Sequence, residues 1–470
     1  MTDLPFGFSS SDGRDDDNDK ERARRESGAG GFGGFDPSMF GGAAGGAGFD
    51  PSQLGQMFTQ LGQMFSGIGA PGAAGSGPVN YDLAARLARQ QMGDFRPMLE
   101  SEERAVADAV RLAELWLDEQ TALPSGITVT HAWTPVDWLE QTLPTWRLLC
   151  DPIASSLEKT WQDGLPEEAK AMAGPMLSMM SGLGGMMFGS QLGQGLGHLS
   201  TGVLTSTDIG LPLAPAGTAA LLPEAIAKFA EGLDVPGQEI VVFLAAREAA
   251  HQRLFAGVGW LRQRLLSAVE DYARGIRLDM SGLEQLGAGV DPQELLSNPA
   301  KMEELMSQAA AFEPALSPEQ QAALNRLETL LALIEGWVEN VVTAALGDRI
   351  PSTAALTETM RRRRATGGPA EQTFATLIGL DLRPRKVREA AELWRRLAQA
   401  VGESGAAAGN DVRDGVWAHP DLLPDSTDLD EPAAFIDRVI GGGTGAFDDP
   451  IAELERTIEE ERKARGDDDA

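Results

Sequence analysis

The sequence has few of the residues that most often carry chemistry. Its 470 residues include one cysteine, Cys150, and four histidines. A single cysteine excludes an intramolecular disulfide and a thiolate zinc cluster. It also fits a reducing compartment, so we expect a cytoplasmic protein. We predict that Cys150 is a small buried residue rather than a reactive thiol.

Positive charge is also scarce. Lysine and arginine number 39 against 70 acidic residues, which gives a formal net charge of −31. Nucleic acids and anionic lipids bind basic surfaces, where counterions are released and charges attract. We therefore predict that neither is a partner of this protein.

No long, unbroken apolar run is present. The longest uncharged stretch, residues 171–207, is interrupted by glycines such as Gly182, Gly185, Gly189 and Gly193. A membrane-spanning helix needs about 20 consecutive, predominantly apolar residues. The stretch instead predicts a buried, close-packed helix with a glycine face, and no stable membrane span.

The composition divides the chain into three regions. Residues 1–80 are charged and then rich in Gly, Ala, Phe and Met, a composition that cannot offset the entropy of ordering, so we predict disorder. Residues 81–404 show helical periodicity and predict a helical domain. Residues 405–470 are acidic and rich in Gly, Asp and Pro, and predict a partly disordered tail.

The helical domain has little strand signal. The segment TAALLP, residues 218–223, is the one candidate strand, so the fold class is mainly α with at most a small β element. The aromatic-rich segment from residue 134 to 161 is predicted to be helical, with breaks at Pro144 and Pro152. A further helix is predicted to start at Ser317-Pro318.

The N-terminal region contains two short repeats. Phe-Asp-Pro-Ser at 35–38 recurs at 49–52, and Leu-Gly-Gln-Met-Phe at 54–58 recurs at 61–65. One interpretation is a low-complexity linker. The other is a short helix that docks in a groove through adaptable Met and Phe side chains. Its partner-binding residues would be Leu54, Met57, Phe58, Leu61, Met64 and Phe65.

Two helical segments place polar groups where packing favours apolar ones. On a helix over residues 240–265, His251 lies at the centre of the apolar stripe and Arg247 lies on the same face one turn earlier. On a helix over residues 324–346, Glu335 falls within the apolar face and Glu339 at its edge. A buried carboxylate costs several kcal/mol unless it is paired, so we predict that these groups meet.

The first of these segments is one residue away from a zinc motif. With histidine at 247, residues 247–251 would read H-E-x-x-H, in which two histidines bind zinc and the glutamate takes a proton from water. The sequence has Arg247 there. Arginine has no lone pair to give a metal and stays charged in proteins.

Several segments, in order along the chain, carry a family resemblance. They are LGQGLG at 192–197, DIGLPL at 208–213, REAAHQRLF at 247–255, LIEGWVENVV at 333–342, RRRRA at 361–365 and GLDLRPRKVREAAELW at 379–394. From about residue 81 to 400 the chain resembles the zincin-like metallopeptidase family common in actinobacteria. The resemblance implies a zincin-like helical core and, for members with H-E-x-x-H, zinc-dependent peptide hydrolysis.

The resemblance also implies roles for individual residues. Glu248 matches the general base, His251 a zinc ligand and Glu335 a downstream carboxylate ligand. Because Arg247 cannot bind zinc, our hypothesis is that it replaces the charge of the metal by pairing with Glu335, or with Glu335 and Glu339.

Two functions remain open from the sequence. One is a catalytically degenerate family member that binds a protein or peptide, or acts as a scaffold. The other is an active zinc-dependent metalloprotease with an unusual ligand set, in which His198 is a conceivable substitute ligand and Glu248 is the general base. Whether the protein is an enzyme is therefore left open, and zinc rests on the resemblance alone.

Overall fold

Amphipathic segments dominate the sequence between residues 77 and 442, and helices dominate the fold. The computed structural model describes residues 77–163, 174–274, 317–365, 386–400 and 406–442. Over these residues the protein is mainly α with one small sheet, which confirms the predicted fold class. Residues 1–76 of the predicted disordered region and residues 443–470 of the acidic tail lie outside the described residues.

The elements follow one another in a simple order. The first half contains α1 (Tyr81–Met92), α2 (Glu100–Leu117), β1 (Val129–Ala132), α3 (Pro135–Asp163), α4 (Gly174–Gly202), β2 (Thr218–Leu221), α5 (Pro223–Ala230), α6 (Gly237–Gly257) and α7 (Leu261–Arg274). The second half contains α8 (Pro318–Leu346), α9 (Thr353–Ala365), α10 (Val387–Ala400), α11 (Ala406–Gly415), α12 (Ser426–Asp430) and α13 (Pro432–Gly442).

The sheet consists of two parallel strands. β1 pairs with β2 in the register Val129↔Thr218 to Ala132↔Leu221. β2 is the strand predicted at TAALLP, and it is buried along its whole length. The sequence pattern does not predict β1, because this strand has only four residues and lies half-exposed beside β2.

α8 is the central helix of the core. It starts where predicted, with the Ser317 side chain accepting a hydrogen bond from the Gln320 backbone N–H in a capping box. Among the described residues, α8 alone has the length and composition of a membrane span, but 78% of its most apolar window is buried inside the protein. It packs against α6, α7 and α10, as expected of the core helix of a folded domain.

The glycine-rich stretch forms α4, which packs closely on α1. Cβ atoms added at Gly189 and Gly193 would lie 2.4 Å from the Asn80 carbonyl oxygen and 2.7 Å from the Ala84 carbonyl oxygen. The glycines therefore let two backbones approach closely, which confirms the predicted glycine face.

The two predicted helix breaks are corrected here. α3 continues through Pro144 and Pro152 without a break, because Trp138, Trp146 and Ile153 bury one continuous face of it in the core. Residues 406–442, within the region predicted to be an acidic tail, form α11 to α13, which cover α10 and bury several large side chains. The buried side chains of this segment include Arg413, Trp417, Leu429 and Phe435.

Candidate functional site

α6 and α8 bring three of the predicted site residues into contact. The Arg247 Nη2 atom lies 2.7 Å from Glu335 Oε2, and the His251 Nε2 atom lies 3.0 Å from Glu335 Oε1. All three side chains are buried. The polar groups that interrupt the two apolar faces therefore form hydrogen bonds and ion pairs with one another.

A second arginine reaches Glu335 from α9. The Arg364 Nη2 atom lies 2.6 Å from Glu335 Oε1 and also donates a hydrogen bond to the Asp208 carbonyl oxygen at 2.9 Å. Arg364 belongs to the run of four arginines at 361–364, which looks like a solvated helix end in the sequence. No periodicity links such a run to a carboxylate on another helix, so sequence reasoning missed this contact.

The His251 ring is held at both nitrogens. Its Nδ1 lies 2.8 Å from the Arg247 carbonyl oxygen, which can only accept a hydrogen bond, so Nδ1 carries a proton. Its Nε2 faces the Glu335 carboxylate, which already accepts from two guanidinium groups. Both ring nitrogens therefore face acceptor oxygens of other protein groups.

The electrostatics of Glu335 follow from these neighbours. Burial alone raises the pKa of a carboxyl group, but the charges of Arg364, His251 and Arg247 outweigh it and hold the pKa of Glu335 well below its usual range. The carboxylate is therefore ionised at neutral pH, and two guanidinium groups and the His251 ring surround it.

Glu248 lies one residue after Arg247 and is fully buried. One of its carboxylate oxygens accepts hydrogen bonds from the Ser206 hydroxyl and from Gln252 Nε2, the latter at 3.0 Å. The other accepts from the Thr207 backbone N–H at 3.1 Å and from its hydroxyl at 2.6 Å. Four protein donors thus occupy the group that the resemblance identifies as a general base. The three donor residues are a further part of the site that sequence reasoning did not identify.

Glu339 does not join the Arg247 pair as one form of the hypothesis proposed. Its carboxylate accepts from Arg361 of α9, through Nε at 2.9 Å and through Nη2. Arg363, also on α9, pairs with the buried Asp208 at 2.8 Å. α9 therefore supplies arginines to three carboxylates, and Glu339 faces α9 because it lies one turn beyond Glu335 on α8.

The segment between α4 and β2 closes the site from one side. Gly210 has a φ of 76°, and a Cβ atom at this position would lie 2.9 Å from Glu335 Oε1. A glycine is needed here because the backbone turns in the left-handed region against the carboxylate. Ser206, Thr207 and Asp208 of the same segment make the contacts described above.

The other histidines lie elsewhere. His131 is on β1, where its ring stacks on Trp133 with centroids 6.5 Å apart. His198 and His419 are exposed. The proposed partner-binding residues from Leu54 to Phe65 lie outside the described residues.

Comparison with known families identifies the family of this chain. The profile of the zincin-like metallopeptidase family matches residues 79–436, which is more than half of the chain. The chain belongs to the zincin-like metallopeptidase family. A comparison with curated proteins finds no significant match.

This zincin-like chain is also similar to a solved structure, a candidate hydrolase with a novel fold from Chloroflexus aurantiacus. The two share 19% sequence identity and a TM-score of 0.54, over 77% of this chain and 99% of the other. At this identity the similarity concerns the fold and carries no statement about activity.

The family name implies zinc, and the residues at this zincin-like site do not fit it. Arg247 lies where the resemblance places the first zinc ligand, and both nitrogens of His251 are within hydrogen-bond distance of acceptor oxygens of other protein groups. The carboxylates of Asp208, Glu335 and Glu339 already pair with arginines, and Glu248 accepts hydrogen bonds from Ser206, Thr207 and Gln252. A divalent ion would add positive charge to a buried cluster whose carboxylates are already paired or hydrogen-bonded. Among the residues that the structure describes, no group of three or more His, Cys, Asp or Glu could hold a metal ion.

Proposed function

We propose that this protein is a catalytically degenerate member of its family, which uses the zincin-like core as a protein-binding or scaffold module. The supporting observation is that the side chains of Glu248, His251 and Glu335 are already hydrogen-bonded to, or paired with, other protein groups. Every polar atom that catalysis would require at these residues is bonded to another protein group. A general base must reach a water molecule, and a ligand histidine must offer a lone pair.

The binding role draws on the sequence outside the described residues. The repeated Leu-Gly-Gln-Met-Phe segments at 54–58 and 61–65 have the spacing and side chains of a short docking helix. In this proposal the folded domain supplies a stable body, and the repeat recruits a protein or peptide partner. The apolar Leu, Met and Phe side chains of the repeat favour a partner with an apolar groove over a nucleic acid.

A peptidase assay of the purified full chain tests the loss of catalysis. Unfolded casein and a fluorogenic peptide library serve as substrates, with added zinc and with a chelator, and Glu248→Gln is the matched control. We expect no turnover above that of the control variant under any condition, with folding of both proteins checked by circular dichroism. Zinc-stimulated hydrolysis that Glu248→Gln abolishes would instead establish an active metallopeptidase.

That second function, a zinc-dependent metallopeptidase with Glu248 as general base, is favoured by the family match over residues 79–436. It requires the side chains around Glu248 and Glu335 to rearrange, so that a metal and a water molecule can enter.

Cross-linking in cells tests the binding role. Replacement of the six apolar residues of the repeat by serine should remove the protein cross-links of the full chain without changing its melting temperature. Unchanged cross-links would contradict the assignment of the repeat as the recruiting segment. The six residues are Leu54, Met57, Phe58, Leu61, Met64 and Phe65.

A further inference from the structure

One partly buried arginine differs from the others in its partners. Among the residues that the structure describes, eight arginine and lysine side chains are buried or partly buried. Seven of them pair with a carboxylate, as expected in a chain with 70 acidic residues. The eighth is Arg262, on α7. The seven paired residues are Arg247, Arg253, Arg361, Arg363, Arg364, Lys386 and Arg413.

Within the described part of the chain, Arg262 forms one long hydrogen bond. Its Nη2 atom lies 3.4 Å from the Thr145 hydroxyl of α3, which itself donates to the Leu213 carbonyl oxygen at 2.8 Å. A guanidinium group has five N–H donors, so most of those of Arg262 are left for solvent or a ligand. Burial lowers the pKa of Arg262, whereas the hydrogen bond to Glu339 raises the pKa of Arg361. The cost of burying the Arg262 charge is therefore not offset by a described carboxylate.

Arg262 lines a small apolar pocket between α3 and α7. The pocket contains about 230 Å³ of empty space, part of it open to solvent. Leu265 and Leu266 follow Arg262 by three and four residues, so the cation and part of the apolar lining share one face of α7. A fitting ligand carries a negative charge about 5–6 Å from a short apolar group, the spacing of neighbours on such a face. Apart from Arg262 and Thr145, the lining residues are Leu149, Leu211, Pro212, Leu213, Leu265 and Leu266.

We propose that this pocket binds the carboxyl-terminal residue of a protein or peptide partner that ends in an apolar side chain. The terminal carboxylate accepts two parallel hydrogen bonds from the Arg262 guanidinium. The side chain of the same residue covers the apolar lining, because carboxylate and side chain leave one Cα atom. The pocket is smaller than the ~300–1,000 Å³ usual for sites that enclose a small molecule, which favours a chain end that inserts only one short group.

This inference rests on the proposed role in protein binding and adds a site on the folded domain itself. It does not depend on the N-terminal repeat or on the absence of metal. The formal net charge of −31 repels anions at long range. Arg262 is therefore the local positive charge on which carboxylate binding depends.

Saturation-transfer difference NMR on the full chain tests the proposal, because it detects weak ligands. The probe is the peptide N-acetyl-glycyl-glycyl-leucine with a free carboxylate, and the same peptide as its carboxamide is the matched control. The free acid 4-methylpentanoate has the same apolar group without a peptide. We expect the acid peptide to bind and the carboxamide to bind about tenfold or more weakly, since a charge-assisted hydrogen bond is lost.

Two variants of α7 assign the binding to Arg262. Arg262→Gln should weaken binding of the acid peptide by about tenfold or more. Arg264→Gln should leave it unchanged, because Arg264 is exposed on the same helix and does not line the pocket. Melting temperatures check that both variants fold, and the comparison of acid with carboxamide on the unmodified chain needs neither variant.

Four outcomes would overturn the proposal. They are no binding of the acid peptide at about 10 mM, equal binding of the carboxamide, unchanged binding in folded Arg262→Gln, and tighter binding of 4-methylpentanoate than of the peptide. The last would assign the pocket to a small free acid instead. None of them concerns peptidase activity or the cross-links of the N-terminal repeat. Failure here is therefore distinguishable from failure of the proposed function.

Discussion

At the scale of single residues, the site depends on one carboxylate. Glu335 is buried at the centre of α8 and contacts Arg247, His251 and Arg364. Each of the two guanidinium groups would be costly to bury alone, and each is compensated because Glu335 is ionised. Removal of this one charge should therefore affect the whole cluster.

We predict that Glu335→Gln destabilises the protein by about 3–5 kcal/mol, the range found when one partner of a buried ion pair is removed. Urea unfolding of the full chain at neutral pH measures the effect. Glu392→Gln is the control, because Glu392 pairs with Arg395 and Arg396 in a half-exposed cluster and its loss should cost at most about 1 kcal/mol. Equal losses in the two variants would contradict the central role of Glu335.

The pH dependence of stability follows from the same residue. Its folded-state pKa lies below the ordinary value of about 4.5. Its contribution to stability is therefore complete above that ordinary pKa and is lost as the pH falls towards the folded-state pKa. We expect the free energy of unfolding to fall on acidification below about pH 4.5, with a smaller slope in Glu335→Gln. Urea titrations across this pH range measure both slopes, and identical slopes would refute the assignment.

At the scale of elements, the contact between α4 and α1 depends on glycine. Gly193 faces α1, and a Cβ atom there would lie 2.7 Å from the Ala84 carbonyl oxygen and 2.9 Å from the Leu87 Cβ. A backbone carbonyl cannot move aside as a flexible side chain can, so the helices would have to separate. Gly184, on the same helix, has no heavy atom within 4 Å of its added Cβ.

These two glycines give a matched pair of substitutions. We predict that Gly193→Ala destabilises the protein by about 1–3 kcal/mol through overpacking. Gly184→Ala should be neutral, or stabilising by up to about 1 kcal/mol, because alanine favours a helix over glycine. Chemical denaturation of both variants tests this. If Gly193→Ala were as stable as Gly184→Ala, the close approach of the two helices would be in doubt.

At the scale of the whole molecule, residues 406–442 are part of the folded body. Asp414 accepts hydrogen bonds from Trp337 Nε1 on α8 at 2.8 Å and from the Thr121 hydroxyl at 2.5 Å. It also pairs with the buried Arg413 at 2.8 Å. The Asp414 carboxylate thus links the C-terminal helices by hydrogen bonds to α8 and to Thr121, which lies 293 positions earlier in the chain.

We predict that Asp414→Ala lowers the free energy of unfolding by about 3–5 kcal/mol, because it leaves the Arg413 guanidinium buried without its counter-charge. The exposed Asp411, on the same helix, is the control, and Asp411→Ala should change stability by at most about 0.5 kcal/mol. Thermal and urea unfolding measure both variants. A small effect at Asp414 would mean that the C-terminal helices add little to the cooperative unit.

The parts of this structure that could be predicted are those with local periodicity. The helices carrying Arg247, His251 and Glu335 were recognisable, because polar residues interrupt apolar faces that repeat every turn. The start of α8 at Ser317 and the glycine face of α4 were recognisable for similar local reasons.

The remaining parts depend on contacts between distant segments. The role of Arg364 could not be predicted, because a run of four arginines looks like a solvated helix end until α9 is placed beside α8. The donors around Glu248 lie in the connection after α4, where no periodicity constrains the side chains. Asp414 lies in an acidic stretch whose composition resembles a tail, and the sequence does not reveal its bond to Trp337.

Metal analysis of the unmodified, full-length protein tests the central claim most directly. The protein is expressed with zinc in the medium, dialysed at neutral pH without chelator, and analysed by inductively coupled plasma mass spectrometry. The account predicts zinc far below one atom per chain, with a melting temperature that a strong chelator leaves unchanged. One zinc per chain that survives dialysis, and whose removal lowers the melting temperature, would contradict it.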